Sequence, residues 1–471
     1  MDWVLKDLAK WNDKIEEIAQ ECGLDYYPQE FEVCDYHDML GYQSYVGMPS
    51  RYPHWSFGKS FEKQNTMYKL GMSGLAYEMV INSNPCLAYL MIDNPLSMQI
   101  LVMAHVYGHN DFFKNNINFS KTRAEYALEM FKLNADRIRS FHETPSIGYE
   151  GVERILDAAH AISFHVDRNQ RIVRLSEEEQ RIQHFQHVNR EKDNWDELKK
   201  PEKDEDFIPA LSEDLMLFLI ENSRFLQSWE KEILRIVREE TLYFLPQMET
   251  KIMNEGWASF WHYTILHKLN LPPAMHVDFI RSHNQVIRPH VGGLNPYHIG
   301  FTLMAHLAGK KDAFEYEINP KIFDVRTVDR DASFLRRFLT KELMEELGLF
   351  EYEKNQGRIT VSNTSDDFKG WKDVRDTLIA QTGTGSIPVI KVKGIAPISN
   401  SLMLVHEFDG RELELGYVSK TMEHIATLWS DFPVKLETTV DGHEVTCIYA
   451  NKEFRVEGID RDETETEYTH I

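Results

Sequence analysis

LVMAHVYGHNDFFKNN, residues 101–116, sets His105 and His109 four apart within an apolar run. Residues four apart share one face of an α-helix, so two imidazoles so spaced can reach a single metal ion. A zinc hydrolase of the His-Glu-x-x-His type carries glutamate directly after the first histidine, and Val106 stands there instead. Three readings follow: a metal site without its usual base, a different metal chemistry, or two hydrogen-bonded core histidines. A shared face needs a helix. Asn94-Pro95 supplies its start, with asparagine as cap and proline at the first helical position. Asn84-Pro85 repeats that signal ten residues earlier. Gly108, inside the helix, leaves room for a substrate or a second helix.

A second stretch bears on the same site. MNEGWASFWHY, residues 253–263, places Glu255, Ser259 and His262 on one helical face. Two histidines on one helix and a glutamate on another make the ligand set of the glutamate-type zinc peptidases, which keep a fourth position for water. The Glu-Gly-Trp-Ala run is similar to the third-ligand segment of several helical peptidases. The competing reading makes Glu255 an N-terminal helix carboxylate, with Trp257, Phe260 and Trp261 as core. Val106 cannot act as base. The candidates for that role are Glu78, Glu150, Glu153, Glu239 and Glu240, each read on a helical segment, while His262 is a fourth ligand or a proton shuttle.

A competing chemistry comes from SIGYEGVERILDAAHAISFH, residues 146–165, where Glu150, Glu153, Asp157 and His160 form one helical stripe. Di-iron carboxylate bundles pair Glu-x-x-His with further glutamates; here only Asp157-x-x-His160 approximates that, and a solvated face explains the stripe equally. The loop RSHNQVIRPHVGGLNPYHIG, residues 281–300, offers His283, Arg288, His290, Tyr297 and His298 for substrate binding, with Tyr297 or His298 able to stabilise an oxyanion. QTGTGS, residues 381–386, lacks the Lys-Ser/Thr of a phosphate loop.

Around these stretches the chain reads as mainly α: a multi-helix, zincin-like or bundle body over 1–350, then a small α+β domain over 352–462. Residues 1–22 are an amphipathic helix, and 23–64, rich in glycine, proline and aromatics, reads as a long ordered loop. From 65 to 166 the pattern is helical. Residues 167–206, charged and poor in apolar side chains, read as an exposed excursion, and 463–471 as an acidic tail. In the C-terminal part RITVSN, IPVIKVKG, SLMLVHEF, ELELGYV, VKLETTV and HEVTCIYA read as strands, with DFKGWKDVRDTLIAQTG and SKTMEHIATLW as helices. The net charge of −23 speaks against binding nucleic acid. Four scattered cysteines (Cys22, Cys34, Cys86, Cys447), no secretory leader at the N-terminus and no long apolar run lead us to expect a cytoplasmic protein without a membrane span.

VGMPSRYPHWSFGKSFE, YEMVINSNPCLAYLM, GHNDFFKNN, TKIMNEGWASFWHY and NPYHIGF, in that order, resemble segments of the stage V sporulation protein R family. The resemblance covers essentially the whole chain. It implies a part in forming the spore cortex, a peptidoglycan layer, with sporulation or cell-envelope proteins as partners. Relatives in bacteria that form no spores imply a wider role. It implies a process, not a reaction. The expected metal is divalent, zinc or alternatively iron, held by His105, His109 and Glu255, and the expected activity is hydrolytic. The alternatives are an iron-dependent oxidoreductase and a non-catalytic scaffold or regulator of cortex assembly.

Overall fold

The computed structural model describes residues 3–70, 78–170, 211–289, 294–309, 315–349, 370–396 and 398–458. It also describes residues 175, 179–180 and 182 and the backbone of 352–355 and 358–361. Most of the charged stretch 167–206, His290 and the tail 463–471 lie outside the described residues. The chain is mainly helical, with a small sheet towards its C-terminus. No helix among the described residues is long and apolar enough to cross a membrane. The residues divide into two compact units, each built from two pieces of chain: 1–148 with 242–386, and 149–241 with 387–471.

The first unit is a helical body with one small sheet. Its central helix, Leu96–Asn115, is buried around nearly its whole circumference from Gln99 to Phe113. A helix that is apolar on all sides belongs inside a protein, not on its surface. Pro95 serves as its N-cap, one position later than the expected cap Asn94. A second helix, Lys251–Lys268, is equally enclosed, with Trp257, Phe260 and Trp261 fully buried. Pro296–Ala308 packs against it, and Leu5–Glu21 contributes Leu8, Ile15 and Ala19 to the same core.

Residues 23–64 are not the loop expected of them: strand Gln29–Cys34 and helices Tyr36–Ser44 and Trp55–Lys69 lie at or within them. Nor is 65–166 wholly helical. Strands Glu78–Ile81 and Cys86–Met91 join Gln29–Cys34 in a sheet with Cys86–Met91 at its centre, parallel to Gln29–Cys34 and antiparallel to Glu78–Ile81. Apolar runs of four to six residues fit a strand as well as a buried helical turn, and periodicity cannot separate them. Asn84-Pro85 thus opens a strand rather than a helix.

The second unit carries a five-stranded sheet in the order Glu453–Gly458, His443–Ala450, Val434–Val440, Leu402–His406, Ile390–Ile395. Its pairs are antiparallel except Leu402–His406 with Val434–Val440. A parallel pair needs a crossover, and helix Leu415–Leu428 provides it. ELELGYV is therefore no strand: Glu414 caps that helix through its side chain, accepting the N–H groups of Gly416 and Tyr417. Strand Glu453–Gly458 lay beyond the expected set.

Candidate metal centre

Two close backbone approaches bring the site helices together. A side chain on Gly108 would place its Cβ 2.6 Å from Ala258 Cα, and one on Gly256 would sit 2.3 Å from the Gly300 carbonyl carbon. Only glycine permits such contacts. They lie beside the chemistry: Gly108 falls between His105 and His109, and Gly256 follows Glu255. Polar anchors hold the same helices in register. Asp111 accepts from the Trp257 indole at 2.8 Å, the Arg326 guanidinium at 3.0 Å and the Asp25 backbone at 2.8 Å. Asp331 accepts the Ile252 and Met253 N–H groups, both at 2.9 Å, at the start of the Glu255 helix.

His105, His109 and Glu255 converge. Glu255 Oε2 lies 3.7 Å from His105 Nε2 and 3.5 Å from His109 Nε2. Glu78, on a strand and not the helix expected for it, adds Oε1 at 3.9 Å from His105 Nε2. His105 Nε2 and Glu255 Oε2 are buried without a hydrogen-bond partner. A buried polar atom left this way costs about 1–3 kcal/mol, so native proteins rarely tolerate it without a role. Zinc ligands at 2.0–2.1 Å stand about 3.3–3.4 Å apart along a tetrahedral edge, close to the distances here. The residues present therefore fit a divalent ion.

The far nitrogens are engaged from behind. His109 Nδ1 donates to the Asn254 side-chain oxygen at 2.9 Å, which leaves Nε2 to face Glu255. His105 Nδ1 contacts His262 Nδ1 at 2.9 Å, and His262 Nε2 contacts His283 Nδ1 at 2.8 Å. Fixing a ligand imidazole through its second nitrogen is the usual support of a metal site. His262 thus meets His105 on the side away from Glu255, and His283 stands one ring further back.

The charges around this point oppose one another. Burial pushes the Glu255 carboxyl up, but pairing with His105 and His109 outweighs it and holds the group well below the usual carboxylate range. Burial pulls His109 down, but Glu255, with Asn254 and Glu78, more than offsets that, so His109 is raised. Glu78 is raised, chiefly by burial, with Glu255 adding to the effect and the two histidines partly countering it. The Glu255 charge, then burial, then Glu78 drive the Tyr297 phenol far up, so it stays a neutral O–H. Its ring lies nearly parallel to His105, 6.2 Å away.

Arg288 is exposed, and its carbonyl accepts from Asn295. His298 is half-buried; burial lowers it and Glu346 opposes that. Glu153 and Glu240, both buried, belong to the second unit, as do Glu150, Glu239, Asp157 and His160. Asn254, Asp111 and Asp331 were not anticipated. Asn254 and Asp111 sit within the quoted stretches, beside Glu255 and two residues after His109, but short polar residues in apolar helices give no sign of their partners.

A family model described as SpoVR like protein matches residues 2–387. The chain is 34% identical over 475 residues to YcgB of Escherichia coli (strain K12), itself described as an uncharacterized protein, covering 93% of this chain and 92% of that one. No solved structure matches. With most of its length matched by the family model and a relative aligned nearly end to end, the chain belongs to the SpoVR family.

Proposed function

We propose that this protein is a zincin-like metal-dependent hydrolase of the cytoplasm, serving the formation of the spore cortex or, in relatives without spores, another envelope process. The observation that carries the reading is the convergence of His105 Nε2, His109 Nε2 and Glu255 Oε2, with two of these buried atoms lacking any hydrogen bond. Zinc suits two imidazoles and one carboxylate with a position left open. When bound, the ion supplies Lewis-acid polarisation.

The chain's own groups do the rest. Glu78 approaches the same point from the neighbouring strand and, in this reading, takes the water proton that Val106 cannot accept. The Tyr297 hydroxyl donates to the oxyanion that develops on a substrate carbonyl. The test is elemental analysis of untagged protein. We expect about one zinc per chain, lost in His105→Ala and retained in Glu78→Gln, which loses hydrolysis. Wild-type protein without metal, or with the same content after His105→Ala, defeats the reading.

One observation favours a second metal. Two histidines with one carboxylate also suit non-haem iron(II), and Glu78 would add a second oxygen donor, its Oε1 lying 3.9 Å from His105 Nε2. Iron in the same analysis, with visible absorption on oxidation, would replace zinc by this iron-dependent reading.

A further inference from the structure

Behind the ligand face, three imidazoles stand in an unbroken row. His105 comes from helix Leu96–Asn115, His262 from Lys251–Lys268 and His283 from Pro273–Val286. Their links are the 2.9 Å Nδ1–Nδ1 and 2.8 Å Nε2–Nδ1 contacts given above. All three are buried, with exposures of 3%, 0% and 2% in that order. Aromatic rings enclose the outer end: Tyr263 and Phe301 lie 4.8 and 4.9 Å from His283.

Each nitrogen–nitrogen contact needs one N–H and one lone pair. For three neutral rings in this row, only two arrangements satisfy both contacts. The first puts hydrogen on Nε2 of His105 and on Nδ1 of both His262 and His283. The second puts hydrogen on Nδ1 of His105 and on Nε2 of both others. Only the second frees the His105 Nε2 lone pair that faces Glu255. His109 has its matching arrangement imposed by the Asn254 oxygen, which can only accept. His105 has no such oxygen behind it, so the acceptor there is a ring whose own hydrogen must be committed elsewhere. His283 commits it.

We propose that His262 and His283 are positioning residues that lock His105 in its Nδ1–H tautomer, His283 acting through His262. The proposal rests on the metal reading of the site.

The test uses the full chain with zinc as probe. His262→Phe removes the acceptor and keeps a ring; zinc affinity should fall about 10–100-fold, the usual loss for an outer-shell partner. His262→Gln keeps one acceptor and one donor and should recover most of the loss, which a purely space-filling role would not produce. Should His262→Phe fail to fold, His283→Phe, which leaves the His105 contact in place, is expected to weaken zinc in the same direction. In histidine-labelled wild type, nitrogen NMR of the zinc form should show hydrogen on Nε2 of both His262 and His283. Hydrogen on Nδ1 of His262 in the zinc form overturns the proposal, as does undiminished zinc affinity in both phenylalanine variants. A wild-type protein that takes up no zinc defeats the underlying reading instead, and the proposal with it.

Discussion

Gly108→Ala is the most informative substitution, because one methyl group tests both packing and site. The new Cβ would lie 2.6 Å from Ala258 Cα, 3.2 Å from its Cβ and 3.4 Å from its backbone nitrogen. Carbon atoms settle at about 3.5–4.0 Å, so the two helices must part by about 1 Å. Backbone forms the opposing wall, and no rotamer change relieves it. The Glu255–histidine distances of 3.5 and 3.7 Å would then grow to about 4.5 and 4.7 Å. Two ligands 2.0–2.2 Å from one ion cannot stand further apart than about 4.4 Å. Overpacking costs about 1–3 kcal/mol, and alanine's helix preference returns about 1 kcal/mol. The net loss of stability is therefore about 0–2 kcal/mol, while zinc affinity falls because the Glu255–histidine pairs move out of reach of one ion. Chelator competition and urea unfolding on the same samples measure both. Wild-type zinc affinity with an unchanged unfolding midpoint would refute the reasoning. Gly58→Ala is the control: nothing lies within 4 Å of its Cβ, so it should stabilise helix Trp55–Lys69 by about 1 kcal/mol and leave zinc binding alone.

Asp111→Asn leaves the buried Arg326 guanidinium without its counter-charge, and denaturant unfolding should register a loss of about 3–5 kcal/mol. His165, whose Nδ1 is buried without a hydrogen-bond partner, is lowered to about 4 by burial, with Arg168 adding to it. The unfolded chain then binds the proton first, so stability is full above about pH 6.5 and declines as pH falls towards 4. At about 1.4 kcal/mol per unit that is about 3 kcal/mol, and His165→Phe should flatten this part of a pH-dependent unfolding series; an unaltered slope would count against it.

The central helix was legible through its Asn94-Pro95 start and through His105 and His109 one turn apart, although its enclosure on all sides leaves it no apolar period. Glu255 was legible because the Glu-Gly-Trp-Ala run it opens is similar to the third-ligand segment of helical peptidases; that Gly256 marks a helix crossing was not. Glu78 was placed on a helix because EMVI is too short to show a period, although its side chain still reaches the cluster. The sequence suggests His262 as a ligand or proton shuttle and His283 as a substrate-binding residue, but spacing along the chain does not show that the two rings line up behind His105. Glu153 and Glu240 had the chemistry of a base, and the chain path assigns them to the second unit.

That chain path has a consequence for synthesis. Each unit is interrupted by the other, so neither is complete when the ribosome first leaves it. The histidines emerge early, but Glu255 follows only after residues 149–241 have been made. Those residues in turn wait for 387–471 before their unit is whole. Domains generally fold as units during synthesis, N-terminal first. Here the unit bearing the candidate metal ligands has all its chain by residue 386, while the other stays short of its five-stranded sheet. A chain arrested near that point would carry one finished unit and one unfinished, and chaperone demand should be concentrated while residues 387–471 are being made.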